Sequence, residues 1–247
     1  MKKYLHGYAM CQSMFCAIPC PFRVWDEKAR SCMLLFLPLI GLEMGVLWAA
    51  GRWILGMLQV PDPVTALVLC AFPYLLTGFI HLDGFMDVTD AICSWRDLER
   101  RREILKDSHV GSFAVVWCAL LLLGGFAFWA SVPAESNGWI LILVPVVSRC
   151  CSAMAVLQLK PMSTSQYAQP EQKPGWYVPA LAVLTAVCVA AGFFGFGKYG
   201  LVPVGGITGY ALALRRSYRS LQGMNGDISG YCITVSELCA VAVLALL

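Results

Sequence analysis

Seven stretches of this chain are apolar enough to leave water: about residues 32–54, 64–82, 110–132, 139–159, 176–196, 200–214 and 233–247. A helix rises 1.5 Å per residue, so roughly 20 apolar residues cross a hydrocarbon core of about 30 Å. In lipid every backbone N–H and C=O must find a partner within the segment, and a helix meets that demand alone. The expected fold is therefore all-α: a polytopic membrane helix bundle of about seven transmembrane segments, with residues 1–247 as a single domain. The sixth stretch is short, ~22 Å as a helix, and holds Gly205, Gly206 and Gly209. A partial or broken helix, or one that starts earlier, is expected there. Composition agrees, at 59% hydrophobic and 13% charged residues. Soluble domains run at about 45–50% apolar and about 25% charged. No soluble domain, internal repeat or nucleic-acid motif is visible.

The basic residues orient the spans. Of 18 Lys and Arg residues, Arg149 lies within the fourth stretch, and only Arg52 and Lys198 fall on one side. The rest, from Lys2 and Arg23 through Lys106 and Lys173 to Arg219, fall on the other. The positive-inside rule makes that side cytoplasmic and the N-terminus cytoplasmic. Lys2 and Lys3 precede a segment interrupted by His6, Gln12 and two prolines, so no cleaved signal peptide is expected. The 12 cysteines include no CxxC pair, and several sit in apolar runs, where they act as small hydrophobic residues.

The second apolar stretch ends in "HLDGFMDVTD", His81 to Asp90. If the helix continues past Leu82, Asp83, Asp87 and Asp90 fall within an arc of about 60°. Like charges at this spacing destabilise a helix, and desolvation near a bilayer adds to the cost. A hard divalent cation would offset it, since Mg²⁺ takes a few carboxylate oxygens together with substrate phosphates. The cluster reads as a Mg²⁺ site for a phosphorylated substrate; the competing reading is a solvated membrane edge. His81 lies about 160° from Asp83 on such a helix and is either an interfacial polar residue or part of a binding site.

Positive charge follows in Arg100, Arg101, Arg102 and Lys106, as topogenic charge, as phosphate ligands, or as both. Asp107 and Ser108 stand where an N-cap for the third span is expected. A third polar stretch, "LQGMNGDISGYCITVSEL", carries Asp227 at a membrane edge and Glu237 inside the last span. Glu43, Arg149 and Glu237 are costly in lipid and should face the bundle interior. Arg149 could pair with either glutamate.

Together these stretches resemble the cobalamin synthase family, the adenosylcobinamide-GDP ribazoletransferases. The family's His-x-Asp-Gly-x-x-Asp-x-x-Asp pattern stands intact as His81, Asp83, Gly84, Asp87 and Asp90. Its Lys-Asp-Ser-x-x-Gly-x-Phe motif is Lys106, Asp107, Ser108, Gly111 and Phe113. The late motif corresponds to Gln222, Gly223, Asn225, Gly226, Asp227, Gly230 and Glu237. Residues Ala17 to Pro21, Phe36 to Gly41 and the segment around Arg149 also fit. Four positions depart from the pattern: Ala17 for a basic residue, His109 for an Arg, Gln222 for a Gly and Asn225 for a Thr.

The resemblance implies a late step of cobalamin biosynthesis at the inner (cytoplasmic) membrane, with the site facing the cytoplasm. Adenosylcobinamide-GDP and α-ribazole, or its 5′-phosphate, would give adenosylcobalamin, or its phosphate, and GMP. Asp83, Asp87 and Asp90 would hold Mg²⁺, with Asp227 completing the site from another helix. Asp87 or Asp90 would act as general base. Lys106 and the arginines at 100–102 would take phosphate oxygens, and His81, Asp107, Ser108 and Asn225 would contact substrate. The implied partners are corrinoid and ribazole substrates and membrane lipid. Two rivals are a CDP-alcohol phosphotransferase, whose Ala-Arg pair is missing after Asp90, and a small transporter, for which no paired span interruptions appear.

Overall fold

The computed structural model describes residues 2–22, 24–162 and 175–247; Arg23 and Lys173, counted above among the orienting charges, lie outside the described residues. Among the described residues, eleven α-helices follow one another: α1 (Lys2–Phe15), α2 (Glu27–Met33), α3 (Leu37–Met57), α4 (Asp62–Leu76), α5 (Ile80–Cys93), α6 (Leu98–Ile104), α7 (Ser112–Ala130), α8 (Leu143–Gln158), α9 (Tyr177–Phe196), α10 (Leu201–Leu221) and α11 (Gly226–Leu246). No strand occurs among the described residues, apart from one isolated bridge between Pro161 and Met224. The helical membrane fold expected from the sequence is what the chain adopts.

Among the described residues, five stretches are long and apolar enough to cross a bilayer: Glu27–Met57, Ser112–Ala130, Gly138–Gln158, Tyr177–Leu221 and Gly226–Leu246. The α4–α5 pair makes a sixth if its two bent halves are taken as one span. The Tyr177–Leu221 stretch has 45 residues, which as one straight helix would reach about twice the core thickness. It breaks at Gly197, where φ is +58°, and Gly200 packs back onto the Phe193 ring. Its second half, α10, runs antiparallel to α11: Gly205 faces Val243 and Gly209 faces Cys239. Ser236 Oγ donates to the Gly206 carbonyl at 2.8 Å across this seam.

Three boundaries differ from the sequence expectation. The sixth stretch is neither short nor broken, because α10 runs 21 residues from Leu201 to Leu221. Its glycines are there for close backbone approach to α11, a common use of small residues between membrane helices. The last helix starts at Gly226, well before 233, so Asp227 lies in its first turn. The second stretch does not continue straight past Leu82. It breaks at Thr77–Phe79, where Gly78 and Phe79 both adopt left-handed φ (59° and 65°), and α5 leaves α4 at 90°.

The interior charges pair in one of the two ways left open. Arg149, fully buried on α8, donates through Nη1 to Glu237 Oε1 on α11 at 2.5 Å, and Ser148 Oγ donates to the same oxygen at 3.1 Å. Glu43 instead accepts from the Tyr8 hydroxyl at 2.7 Å. That bond ties α1, a helix the hydropathy pattern did not reveal, to α3. His6 Nδ1 lies 2.8 Å from Asp26 Oδ2, and Asp26 also caps α2 by accepting from the Lys28 N–H. All twelve cysteines are free thiols.

Candidate active site

The bend before α5 decides where the carboxylates go. At 90° to α4, α5 runs over the starts of two other helices. Gly84 meets the start of α11: a Cβ there would stand 2.7 Å from the Asp227 carbonyl oxygen and 2.9 Å from its Cα. Asp90 meets the start of α7, beside Gly111. The two sides of α5 differ accordingly. Phe85, Val88 and Ile92 are buried on one side, with Phe85 stacked on Tyr231 of α11 at 5.6 Å. Asp83, Asp87 and Asp90 share the other, Asp83 exposed and the other two half-buried. The three carboxylates are thus carried on a helix that turns away from α4, not on its straight continuation.

The carboxylates are not alike. No side-chain hydrogen bond or ion pair among the described residues reaches Asp83 or Asp87. The charged groups acting on Asp87 are Asp83, Asp227 and Asp90, all carboxylates. Asp227 is held from its own turn, its Oδ2 accepting from Asn225 Nδ2 at 2.7 Å. Asn225 is the N-cap of α11, and its Oδ1 accepts from the Ile228 N–H at 3.0 Å. Asp90 Oδ1 accepts from the Ala114 N–H of α7 at 3.4 Å. These groups do not form a closed coordination cage: among the described residues, no three His, Cys, Asp or Glu side chains converge as metal ligands.

The turn that carries Asn225 and Asp227 is clamped from two directions. Arg102 of α6 donates through Nε to the Leu221 carbonyl (3.0 Å) and through Nη2 to the Gln222 carbonyl (2.9 Å), and Arg101 reaches the Ser220 carbonyl (3.4 Å). Cations at a helix C-terminus complete its last carbonyls and oppose its dipole. From the other side, the Met162 N–H donates to the Met224 carbonyl and the Met224 N–H to the Lys160 carbonyl, both at 2.9 Å. Arg100 pairs with Glu103 one turn along α6. Two of the three arginines are therefore spent on backbone carbonyls.

The remaining candidates are spread out. Lys106, Asp107 and Ser108 are exposed in the α6–α7 loop. Asp107 and Ser108 do not cap α7, whose N-cap is Gly111. Asp107 accepts instead from the backbone N–H and the ring of His109, which hold its carboxyl below the ordinary range. His81 lies away from the carboxylates, its ring buried and stacked at 6.5 Å on Phe15 of α1, its carbonyl accepting from Thr234. Ala17 sits at the α4–α5 break: its N–H donates to the Leu76 carbonyl at 2.7 Å, and a Cβ on Gly78 would touch its Cβ at 3.9 Å. The basic side chain absent there would stand at the entrance to α5. Gln222 holds φ at 52°, which explains why a glycine suits that position.

A profile of the cobalamin-5-phosphate synthase family matches residues 7–245. The chain belongs to that family. It is 34% identical over 252 residues to an adenosylcobinamide-GDP ribazoletransferase of Clostridium perfringens (strain SM101 / Type A), covering all of both chains. A protein of the same name from Clostridium botulinum (strain Alaska E43 / Type E3) is 30% identical, covering 96% of each chain. One from Methanosarcina barkeri (strain Fusaro / DSM 804) is 31% identical, covering all of this chain and 94% of its own. No solved structure matches.

Proposed function

We propose that this family member joins adenosylcobinamide-GDP to α-ribazole, or to its 5′-phosphate, on the cytoplasmic face of the inner membrane. The observation that carries the reading is helix α5, which turns 90° from α4 and presents Asp83 and Asp87, without side-chain partners among the described residues, beside the start of α11. In the reaction a ribazole hydroxyl oxygen forms a bond to the phosphorus attached to cobinamide. The bond from that phosphorus to the GMP oxygen breaks, and GMP leaves with the electron pair. Asp87 accepts the hydroxyl proton as general base, which it can do within hydrogen-bond reach of the attacking oxygen.

The residues fit Mg²⁺ of the kind that binds through one or two carboxylates plus substrate phosphates, not through an all-protein cage. Asp83 and Asp87 would hold it, with Asp227 beside them. Bound there, the ion supplies neutralisation of the diphosphate charge. Asn225 orients the Asp227 carboxylate, and Arg102 fixes the turn that carries both. Lys106 and Arg100, free of backbone duties, would meet phosphate oxygens. His81, Asp107 and Ser108 remain candidates for substrate contact. The bundle crosses the membrane seven times in this reading, with the N-terminus and the basic loops inside.

The test is release of GMP from adenosylcobinamide-GDP by detergent-solubilised protein, with and without α-ribazole and Mg²⁺. Release that requires both is the expected result. Turnover of a cytidine donor in place of the guanosine one, or no release at all, would sink the reading.

A further inference from the structure

Helix α7 begins without a cap of its own. Its N-cap residue is Gly111, which has no side chain to accept from the first turn. The leading N–H groups of a helix need acceptors from elsewhere, or they remain unpaired. One acceptor arrives from α5. Asp90 Oδ1 takes the N–H of Ala114, the third helical residue, whose amide an N-cap side chain ordinarily reaches. A carboxylate at this end of a helix is also favoured by the dipole.

Gly111 shows how closely the two helices are fitted. A Cβ there would stand 1.8 Å from Asp90 Oδ2 and 2.4 Å from both Oδ1 and Cγ. Its backbone, at φ −86° and ψ 168°, is open to any residue. The glycine leaves room for Asp90 and is not demanded by conformation: a side chain there would push the Asp90 carboxylate aside. The Asp90 carboxylate occupies the volume where a local capping side chain would sit.

We propose that Asp90 is a positioning residue: it caps α7 from outside and thereby fixes the Lys106–Gly111 loop against the carboxylate helix. The metal-facing and proton-accepting roles then fall to Asp83 and Asp87. This inference rests on the proposed reaction for its activity arm and on the α5–α7 geometry alone for its stability arm.

The experiment moves the cap. Asp90→Ala removes the acceptor, Gly111→Ser pushes the Asp90 carboxylate aside, and the Asp90→Ala/Gly111→Ser double variant places a hydroxyl cap locally in the vacated space. Thermal stability in detergent, GMP release and the Mg²⁺ concentration for half-maximal rate are measured for each. Asp90→Ala should be less stable than wild type, and in Gly111→Ser the new side chain should displace the Asp90 carboxylate from its place. Each should lose about 10- to 100-fold in kcat, the scale of an ångström-sized misplacement. The double variant should regain stability and most of the rate, with an unchanged Mg²⁺ requirement throughout. A double variant no more stable than Asp90→Ala overturns the cap. A stable double variant as slow as Asp90→Ala makes Asp90 a ligand or base and overturns the positioning role. If wild type itself releases no GMP, the reaction assignment fails, while the stability comparison still decides the cap.

Discussion

Asp87 and Gln222 show how far a single residue's environment fixes its role. Asp87 is half-buried, has no side-chain hydrogen-bond partner among the described residues, and feels the charges of Asp83, Asp227 and Asp90. Asp87→Asn keeps the shape and removes one negative charge from that side of α5. Turnover should fall roughly 10²-fold or more, as loss of a general base or metal contact does. The protein should stay folded, since relieving like-charge repulsion does not destabilise a helix. Near-normal GMP release by this variant would return the cluster to an ordinary solvated edge. Gln222 ends α10 in a left-handed conformation (φ 52°), and Arg102 binds its backbone carbonyl, not its side chain. Gln222→Gly should therefore stabilise by about 1 kcal/mol, the usual strain of a non-glycine residue there, seen as a higher melting temperature in detergent. At this scale the sequence was informative. The spacing of the aspartates alone put all three on one side of a helix. It could not separate Asp90 from the other two, because the group that distinguishes it, the start of α7, arrives through tertiary packing.

At the scale of elements, the apolar runs located the crossing helices but not the turn before α5. Both α4 and α5 are helical and largely apolar, so hydropathy runs through the break unchanged. Only Gly78 hints at it, and the second left-handed residue is Phe79, which no propensity would select. Helix α1 escaped notice for the opposite reason. Its side toward the bundle mixes Tyr8, Cys11 and Gln12, and its anchor, Glu43, lies on another helix. The arginines of α6 were legible as charge, yet their partners are carbonyls, which a one-letter sequence does not display. The α8–α11 joint offers a test at this scale. Arg149 is fully buried, and its Nη1 pairs with Glu237. Glu237→Ala leaves a buried cation without its counter-charge, which costs about 3–5 kcal/mol. Arg149→Met combined with Glu237→Leu removes both charges and should cost much less than the sum of the single changes. Thermal melts of the set measure the coupling; simple additivity would mean that the pair does not join the helices.

For the molecule as a whole, the side on which α5 lies decides whether the site can meet soluble nucleotide substrates. The structure supplies two landmarks at opposite ends of the bundle. At one end are α5, the α6–α7 loop and the turn into α11, with Arg101, Arg102 and the exposed Arg215, Arg216 and Arg219. At the other, Lys198 meets the Leu247 carbonyl, and Arg52 holds Ser136 of the α7–α8 connection at 2.7 Å. The basic end should be cytoplasmic, because cationic loops are retained on that side during insertion. In a background with all twelve cysteines replaced, a single reporter cysteine is placed at Ser108 or at Glu135, both exposed. Ser136 would be a poor reporter, being buried under Arg52. A membrane-impermeant thiol reagent added to intact cells should label Glu135→Cys and spare Ser108→Cys until the membrane is opened. The reverse pattern would put the carboxylate helix outside, away from the nucleotide-activated corrinoid, and would overturn the proposed reaction even with the fold and family unchanged.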